Sequence, residues 1–422
     1  MGNMETGIGR PNGSETWTNK LGLRTNPISP AVYTDPKQFE LERDLIFRRY
    51  WLNLGRVSDI PKAGDYVVHD IPFLPVSVLL IRGKDGEVRA FHNACTHRGN
   101  KICQKFADKT SFFKSGNKAF FMCEFHGWVF NDKGDLVDIP DERNFFDIDR
   151  KSLGMVRIHS AIWEGFIFIN LAETPEFSLE EQLGEVKDQL AGYPFDAFSP
   201  IFGYEGDVGC NWKLSVDSQV EGYHAVTLHR RTLGNSLGGA ENPMIHMLDV
   251  AAFGENHRLS MPAGSSPDRG PVDALAARFG PSIRSYDGGK LTEMPKGVNP
   301  TRSDKWAADI YFIFPNFWIA LFNGQYQTHN FWPLEVGRMY QRINMYGTPA
   351  ETAAQAFAIE YARVMSSNVW LEDFSTLEDC QAIAQSGAIK QLHFQDQEVL
   401  CRRFHERIEA IIRQPAGWGG AD

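Results

Sequence analysis

Cys95 with His97, and Cys123 with His126, stand in two short segments, C-T-H-R-G and C-E-F-H-G-W. Each pairs a thiol with an imidazole two or three residues on, so together they offer two thiolates and two neutral imidazoles. That donor set serves two kinds of centre. One is a tetrahedral zinc ion held by two Cys and two His. The other is a [2Fe–2S] cluster in which two imidazoles replace two thiolates on one iron and raise the reduction potential. Zinc fingers usually place both Cys before both His and carry the His pair on a helix; here each segment holds one of each. Gly99 and Gly127 follow the two histidines closely, as tight hairpin tips require. The arrangement favours the two-iron centre.

A second set lies downstream in N-W-K-L-S-V-D-S-Q-V-E-G-Y-H-A-V-T-L-H, which brings Glu221, His224 and His229 together. Two imidazoles and one carboxylate on one face of a metal leave positions open for dioxygen and substrate, the arrangement of non-haem Fe(II) oxygenases. Two ordinary histidines on a core helix are the plain alternative. Five residues of separation put the rings about 140° apart on an ideal helix. They share a metal only if the helix bends or ends between them.

The first pair of segments, with Arg98-Gly99 and Gly127-Trp128 flanking the histidines, resembles the Rieske domain. The insert between the segments is longer than that family's usual spacing, and Lys105–Asn117 within it reads as an extended surface loop. Cys103 sits there at no ligand spacing and reads as a bystander thiol. A Rieske domain followed by Asn211-Trp212-Lys213 and then Tyr223-His224 and His229 resembles the catalytic (alpha) subunit of the Rieske non-haem iron oxygenases, over nearly the whole chain. The resemblance implies a [2Fe–2S] cluster on Cys95, His97, Cys123 and His126, and a mononuclear Fe(II) on His224, His229 and a downstream helical Asp. Leu371-Glu372-Asp373, with Gln381 eight residues on, fits that Asp as Asp373, with Glu372 and Asp379 as alternatives. It further implies that Glu221 links the mononuclear iron to a Rieske histidine of a neighbouring subunit in a head-to-tail ring of three. Such a heterologous interface closes into a cyclic homotrimer. A small beta subunit accompanies some members. The expected reaction is O2-dependent hydroxylation of an aromatic or polycyclic compound, by dihydroxylation or monooxygenation, with N- or O-dealkylation as the alternative on the same ligands. An electron carrier or a structural zinc protein is the reading from another class.

The elements that must position these residues fall into an α+β arrangement. Residues 1–50 form an N-terminal segment with an amphipathic stretch from about Pro36 to Trp51. Residues 51–172 show short alternating runs punctuated by Lys84-Asp85-Gly86 and Asp132-Lys133-Gly134, as in a small antiparallel β domain. Residues 173–422 form a larger domain, which the resemblance describes as a curved antiparallel sheet gripping a long helix. Helical patterns cover Ser178–Leu190, the region around Asp217–His229, Val272–Phe279, Glu351–Ser367, Leu371–Ser386 and Gln395–Gln414. Residues 262–300, rich in Pro, Gly and Ser, read as a lid or access loop. Phe312, Phe314, Phe317, Trp318, Phe322, Phe331 and Trp332 crowd the late strands, and alternate ones are expected to face a substrate cavity.

The net charge of -10 without a Lys/Arg block argues against nucleic acid and anionic membranes as partners. Six cysteines in 422 residues do not make a disulfide framework, and reduced thiols point to the cytoplasm. No Gly-rich nucleotide fingerprint opens a helix, so NAD(P)H electrons must come through a separate reductase, with or without a ferredoxin.

Overall fold

The computed structural model describes residues 15–103, 113–264, 270–280, 294–322 and 324–413. The chain divides into two compact units: Ile46–Leu179, and the residues up to Leu45 together with those from Glu180 onward.

The Ile46–Leu179 unit is antiparallel. Its seven-stranded sheet runs in the order Leu52–Arg56, Phe166–Asn170, Arg157–Trp163, Val88–His92, Val76–Arg82, Asp65–Ile71, Phe113–Asn117, beside a three-stranded sheet of Phe121–Met122, Val129–Phe130 and Leu136–Asp138. Both expected turns are present, with Gly86 and Gly134 at φ +83° and +87°. Alternation along the strands sends Leu79, Ile81 and Phe91 inward, where they bury with Phe121, Trp128, Phe130, Cys95 and Cys123. Each such large apolar side chain contributes about 1.5–3 kcal/mol on full burial. The expected surface loop is corrected in part: Phe113–Asn117 is a strand paired with Asp65–His69, and residues 105–112 lie outside the described residues. Cys103 is buried in the same core, where burial pushes its thiol up.

The second unit holds a seven-stranded antiparallel sheet in the order Ser199–Val208, Arg338–Gly347, Gln325–Glu335, Phe317–Phe322, Trp306–Ile313, Asn256–Pro262, Asp249–Phe253. Five helices matter for the site: α1 (Pro36–Glu42), α2 (Trp212–Gln219), α3 (Pro271–Phe279), α4 (Ala353–Ser386) and α5 (Val399–Arg413). The two expected C-terminal segments Glu351–Ser367 and Leu371–Ser386 are one helix, α4, of 34 residues. Ser366, Ser367, Asn368 and Val369, at the expected gap, are weak helix formers. Packing overrides that preference: Trp370 sits edge-on to Tyr204, with ring centroids 4.9 Å apart, and Tyr204 Oη donates to the Arg363 carbonyl. A capping box of Thr352 and Gln355 opens α4, and Gly387 at φ +68° closes it.

α2 is tied down from three sides. Asn211 caps it by accepting from Lys213 N at 3.0 Å. Lys213 Nζ lies 2.7 Å from the Glu42 carboxylate of α1, which also accepts from Trp212 Nε1 at 2.9 Å. Asp217 accepts from Tyr33 Oη at 2.6 Å and lies 2.8 Å from His405 Nε2 of α5. Among the described residues no helix is long and apolar enough to cross a membrane.

Glu42 and Lys213 side chains are each 1% exposed, so removing one strands a buried charge. Glu42→Ala should lower stability by about 3–5 kcal/mol, read as a fall in the urea midpoint, while Glu42→Met with Lys213→Met should recover most of it.

Candidate metal centres

The two Cys–His hairpins are built alike. In each, the amide of the tip glycine donates to the cysteine carbonyl: Gly99 N to Cys95 O and Gly127 N to Cys123 O, both at 2.9 Å. In each, the cysteine amide donates to the carbonyl five residues on, Asn100 or Trp128, at 2.8 Å. Gly99 and Gly127 adopt φ +78° and +77°, which favours glycine, and a Cβ at Gly127 would meet Pro140 Cγ at 3.0 Å. Cys95 and Cys123 are 3% and 2% exposed, and burial, reinforced by the neighbouring Cys123 thiol, pushes Cys95 up to about 11. The imidazoles lie further out. His97 and His126 face each other edge to face with centroids 4.6 Å apart, and His97 stacks on Trp128 at 4.8 Å.

The donors thus sort into a buried sulfur pair and an outer imidazole pair. Among the described residues the only group whose ligand atoms all lie within 4.8 Å of one another is elsewhere, at His224, His229 and Asp373. A sulfur end and an imidazole end fit a two-iron cluster. His97 Nδ1 is buried and makes no hydrogen bond, as a nitrogen reserved for iron would be.

The second centre depends on where α2 stops. The expected helix through Asp217–His229 ends instead at Gln219; Val220 leaves helical geometry at φ -118°, ψ 20°, and His224 and His229 sit on two separate short 3-10 turns. That break removes the 140° divergence of a continuous helix. His224 Nε2 and His229 Nε2 are 3.2 Å apart, and Asp373 Oδ1 lies 3.6 Å from the first and 3.1 Å from the second. Asp373 Oδ1 is buried without a hydrogen bond and faces both ring nitrogens. Three donors converging on one point, with an orphaned carboxylate oxygen among them, fit a divalent cation.

Each imidazole is held at its other nitrogen by a carboxylate. Glu221 Oε1 bonds His224 Nδ1, while Glu221 Oε2 accepts from the amides of Tyr223 and His224. Burial works against a charged His224, but Glu221, and beyond it Asp373, raise it to about 9. Glu372 Oε2 lies 2.9 Å from His229 Nδ1 and accepts from Thr232 Oγ1 at 2.7 Å. Glu372, weighed above as a possible ligand, therefore grips His229 from behind. Neighbours on a helix point about 100° apart, so Glu372 and Asp373 reach opposite edges of one ring. Asp379 is not among the converging donors.

A cavity of about 190 Å³ opens over these residues. Of the expected aromatic lining, Trp318 and Phe322 are present, while Phe312, Phe314, Phe317, Phe331 and Trp332 are not. Phe312 and Phe314 pack instead toward Phe404 of α5, and Phe331 packs on Phe312, in the buried core. The wall comes largely from small side chains that pattern reading passed over: Ala276 and Ala277 of α3, Ala308, and Ala358 and Ala362 of α4. Within the expected 262–300 loop, α3 contributes to this wall; residues 265–269 and 281–293 lie outside the described residues.

Residues 195–414 match the family model described as ring hydroxylating alpha subunit (catalytic domain), and residues 50–158 match the Rieske [2Fe-2S] domain. The chain is 33% identical over 62% of its length to chlorobenzene dioxygenase subunit alpha of Cupriavidus sp. (strain PS12), covering 58% of that protein. It is 36% identical over 47% of its length to toluate 1,2-dioxygenase subunit alpha of Pseudomonas putida, covering 43% of it. The chain thus spans less than two thirds of these curated relatives. Its fold is shared with naphthalene 1,2-dioxygenase from Rhodococcus sp. bound to indole, at TM-score 0.71 and 19% identity over 94% of this chain and 96% of that one. A quaternary ammonium Rieske monooxygenase is likewise similar in fold, at TM-score 0.70 and 20% identity, covering 91% and 95% of the two chains.

The geometry separates the two acidic neighbours. Asp373→Ala should abolish retention of mononuclear iron, whereas Glu372→Ala should weaken Fe(II) affinity about 10–100-fold. Both variants should keep the visible spectrum of the [2Fe–2S] centre. Iron analysis after dialysis against graded chelator distinguishes them.

Proposed function

The chain belongs to the ring-hydroxylating alpha-subunit family, a Rieske non-haem iron oxygenase, and we propose that it is the terminal component of a multicomponent system that hydroxylates a neutral aromatic or polycyclic compound with O2. Electrons would come from NAD(P)H through a separate reductase, with or without a ferredoxin. The observation that carries this reading is the convergence of His224, His229 and Asp373 beneath an apolar-walled cavity.

When bound, the two iron centres supply the redox chemistry: a stored electron at the [2Fe–2S] cluster and dioxygen activation at the mononuclear Fe(II). Cys95, His97, Cys123 and His126 would hold the first, and His224, His229 and Asp373 the second. Glu221 and Glu372 fix the Nδ1–H tautomers, so that Nε2 of each imidazole is free to ligate. Trp318, Trp370 and the alanines of α3 and α4 keep water from the reacting face and favour an apolar ring. Among the described residues no Lys or Arg lines the cavity, which supports a neutral substrate over a carboxylate.

We assign Glu221 as the link to a neighbouring subunit's Rieske histidine in a homotrimer. Its Oε2 already accepts two backbone amides, so an incoming imidazole must share a carboxylate whose lone pairs are partly taken.

Supplied with NADH, a reductase and Fe(II), the protein should take up O2 in the presence of a neutral arene, and ¹⁸O2 should label the product; one or two labelled atoms decide between monooxygenation and dihydroxylation. Iron-loaded protein that labels no arene would overturn the proposal. Glu221→Gln should retain both metals yet lose most product in a single turnover. A Cys95→Ala subunit and a His224→Ala subunit, each inactive, should regain partial activity when co-assembled; inactive mixed trimers would exclude electron passage between subunits.

A further inference from the structure

Behind the apolar wall of the cavity lies a chain of neutral polar side chains that the ligand geometry does not use. His329, on the Gln325–Glu335 strand, is fully buried. Its ring lies 4.3 Å from Trp318 and 6.0 Å from Trp370, centroid to centroid, and both tryptophans line the cavity. The side-chain amides of Gln327 and Gln341 approach its Nε2 and Nδ1 at 2.7 and 3.0 Å. Ser215 Oγ, on α2, donates to Gln341 Oε1 at 2.9 Å. Gln327 is the member that reaches the cavity.

The chain has a definite polarity. Burial drives His329 down to about 3, so the ring is neutral and has one donor nitrogen and one acceptor nitrogen. A neutral ring cannot accept from both amides at once; one amide must present its oxygen, since amide orientation follows from the network. Ser215 decides which. Its hydroxyl is fully buried, and among the described residues Gln341 is its sole hydrogen-bond partner. Turning Gln341 would leave the Ser215 proton without an acceptor, which a buried hydroxyl resists. Gln341 therefore donates to Nδ1, Nε2–H donates to Gln327 Oε1, and the Gln327 amide NH2 is left over. No described residue bonds the far end of that amide.

Resting on the oxygenase reading above, we propose that Gln327 determines specificity by presenting a hydrogen-bond donor to the substrate, and so selects neutral arenes that carry an acceptor such as a ketone, ester or ring nitrogen. His329 and Gln341 are positioning residues: they act through Gln327 by fixing which end of its amide faces the cavity. Ser366 adds a second unmatched group, a buried hydroxyl with no hydrogen bond on a residue of the cavity wall. It lies seven residues before Asp373 on α4, two turns or about 10 Å along the helix axis. A substrate acceptor some distance from the oxidised carbon suits this placement.

The test is a discrimination ratio measured by calorimetry, anaerobically, on protein holding its cluster and Fe(II). The probes are two matched pairs, 1-indanone against indane and quinoline against naphthalene. The acceptor-bearing member of each pair should bind about tenfold more tightly, the effect of one buried hydrogen bond. Gln327→Met, similar in length and shape, should collapse both ratios toward unity. His329→Phe should do the same by releasing the Gln327 amide, a change that loss of packing alone would spread equally over both members of a pair. Ratios near unity in the parent protein, ratios unchanged in Gln327→Met, or no binding of any probe would overturn the inference. Failure of the oxygenase reading is separate: it would show as absent ¹⁸O incorporation with the affinity ratios intact.

Discussion

An imidazole can serve a metal at one nitrogen only when something holds its proton at the other, and the second unit is arranged around that requirement. His224 and His229 must both present Nε2 to one point. Glu221 takes Nδ1 of the first and Glu372 takes Nδ1 of the second. The two carboxylates reach their histidines from different parts of the chain, Glu221 from the turn just before His224 and Glu372 from α4. Their agreement in geometry rests on α2 and α4 being fixed relative to each other. Asn211 does part of this: while its Oδ1 caps α2, its backbone N donates to Gln381 Oε1 of α4 at 2.9 Å and its Nδ2 to the Val336 carbonyl at 2.6 Å.

The same logic explains why the anchors of α2 are buried charges. Lys213 against Glu42 and Asp217 against Tyr33 and His405 are costly to desolvate, and a hydrophobic contact of equal volume would often be as stable. What a charged, hydrogen-bonded pair supplies is direction. Packed alkyl groups permit small rotations of a helix; a carboxylate holding an ammonium and an indole N–H together fixes its register. A shift of about 1 Å at α2 would separate donors that now lie 3.1–3.6 Å apart.

Much of this was legible in the sequence because the donors are chemically scarce. Cys95, His97, Cys123 and His126 declare themselves by type and spacing, and the tip glycines by their positive φ requirement. The alternating strands and their turns followed from a period of two. What escaped was decided by tertiary contact. The end of α2 at Gln219 has no proline or glycine at the cap itself, where Val220 stands, and the continuity of α4 runs through Ser366–Val369 against local preference. Glu372 was visible only as a rival to Asp373, because adjacency in sequence hides the angle between neighbours on a helix. The cavity was sought among aromatics, yet space in a packed interior is made by small residues, and alanine carries no distinctive sequence signal.

The charges at the mononuclear centre show that the cation belongs to the structure as well as to the chemistry. Glu221, Glu372 and Asp373 surround two imidazoles, and the Glu221 and Asp373 side chains are only 8% and 4% exposed. Carboxylates so enclosed are unfavourable unless a positive charge is near. In the metal-free protein a proton takes that part, which is why His224 is raised from 6.5 to about 9. The sign follows from linkage: a raised histidine contributes stability in full below its unfolded value near 6.5, and that contribution is lost as pH rises through about 9. A divalent ion brings twice the charge and needs the Nε2 lone pair that the proton occupies, so metal and proton compete for one site. The carboxylates that aim the imidazoles thus also draw the cation in, and orientation and affinity come from the same two residues.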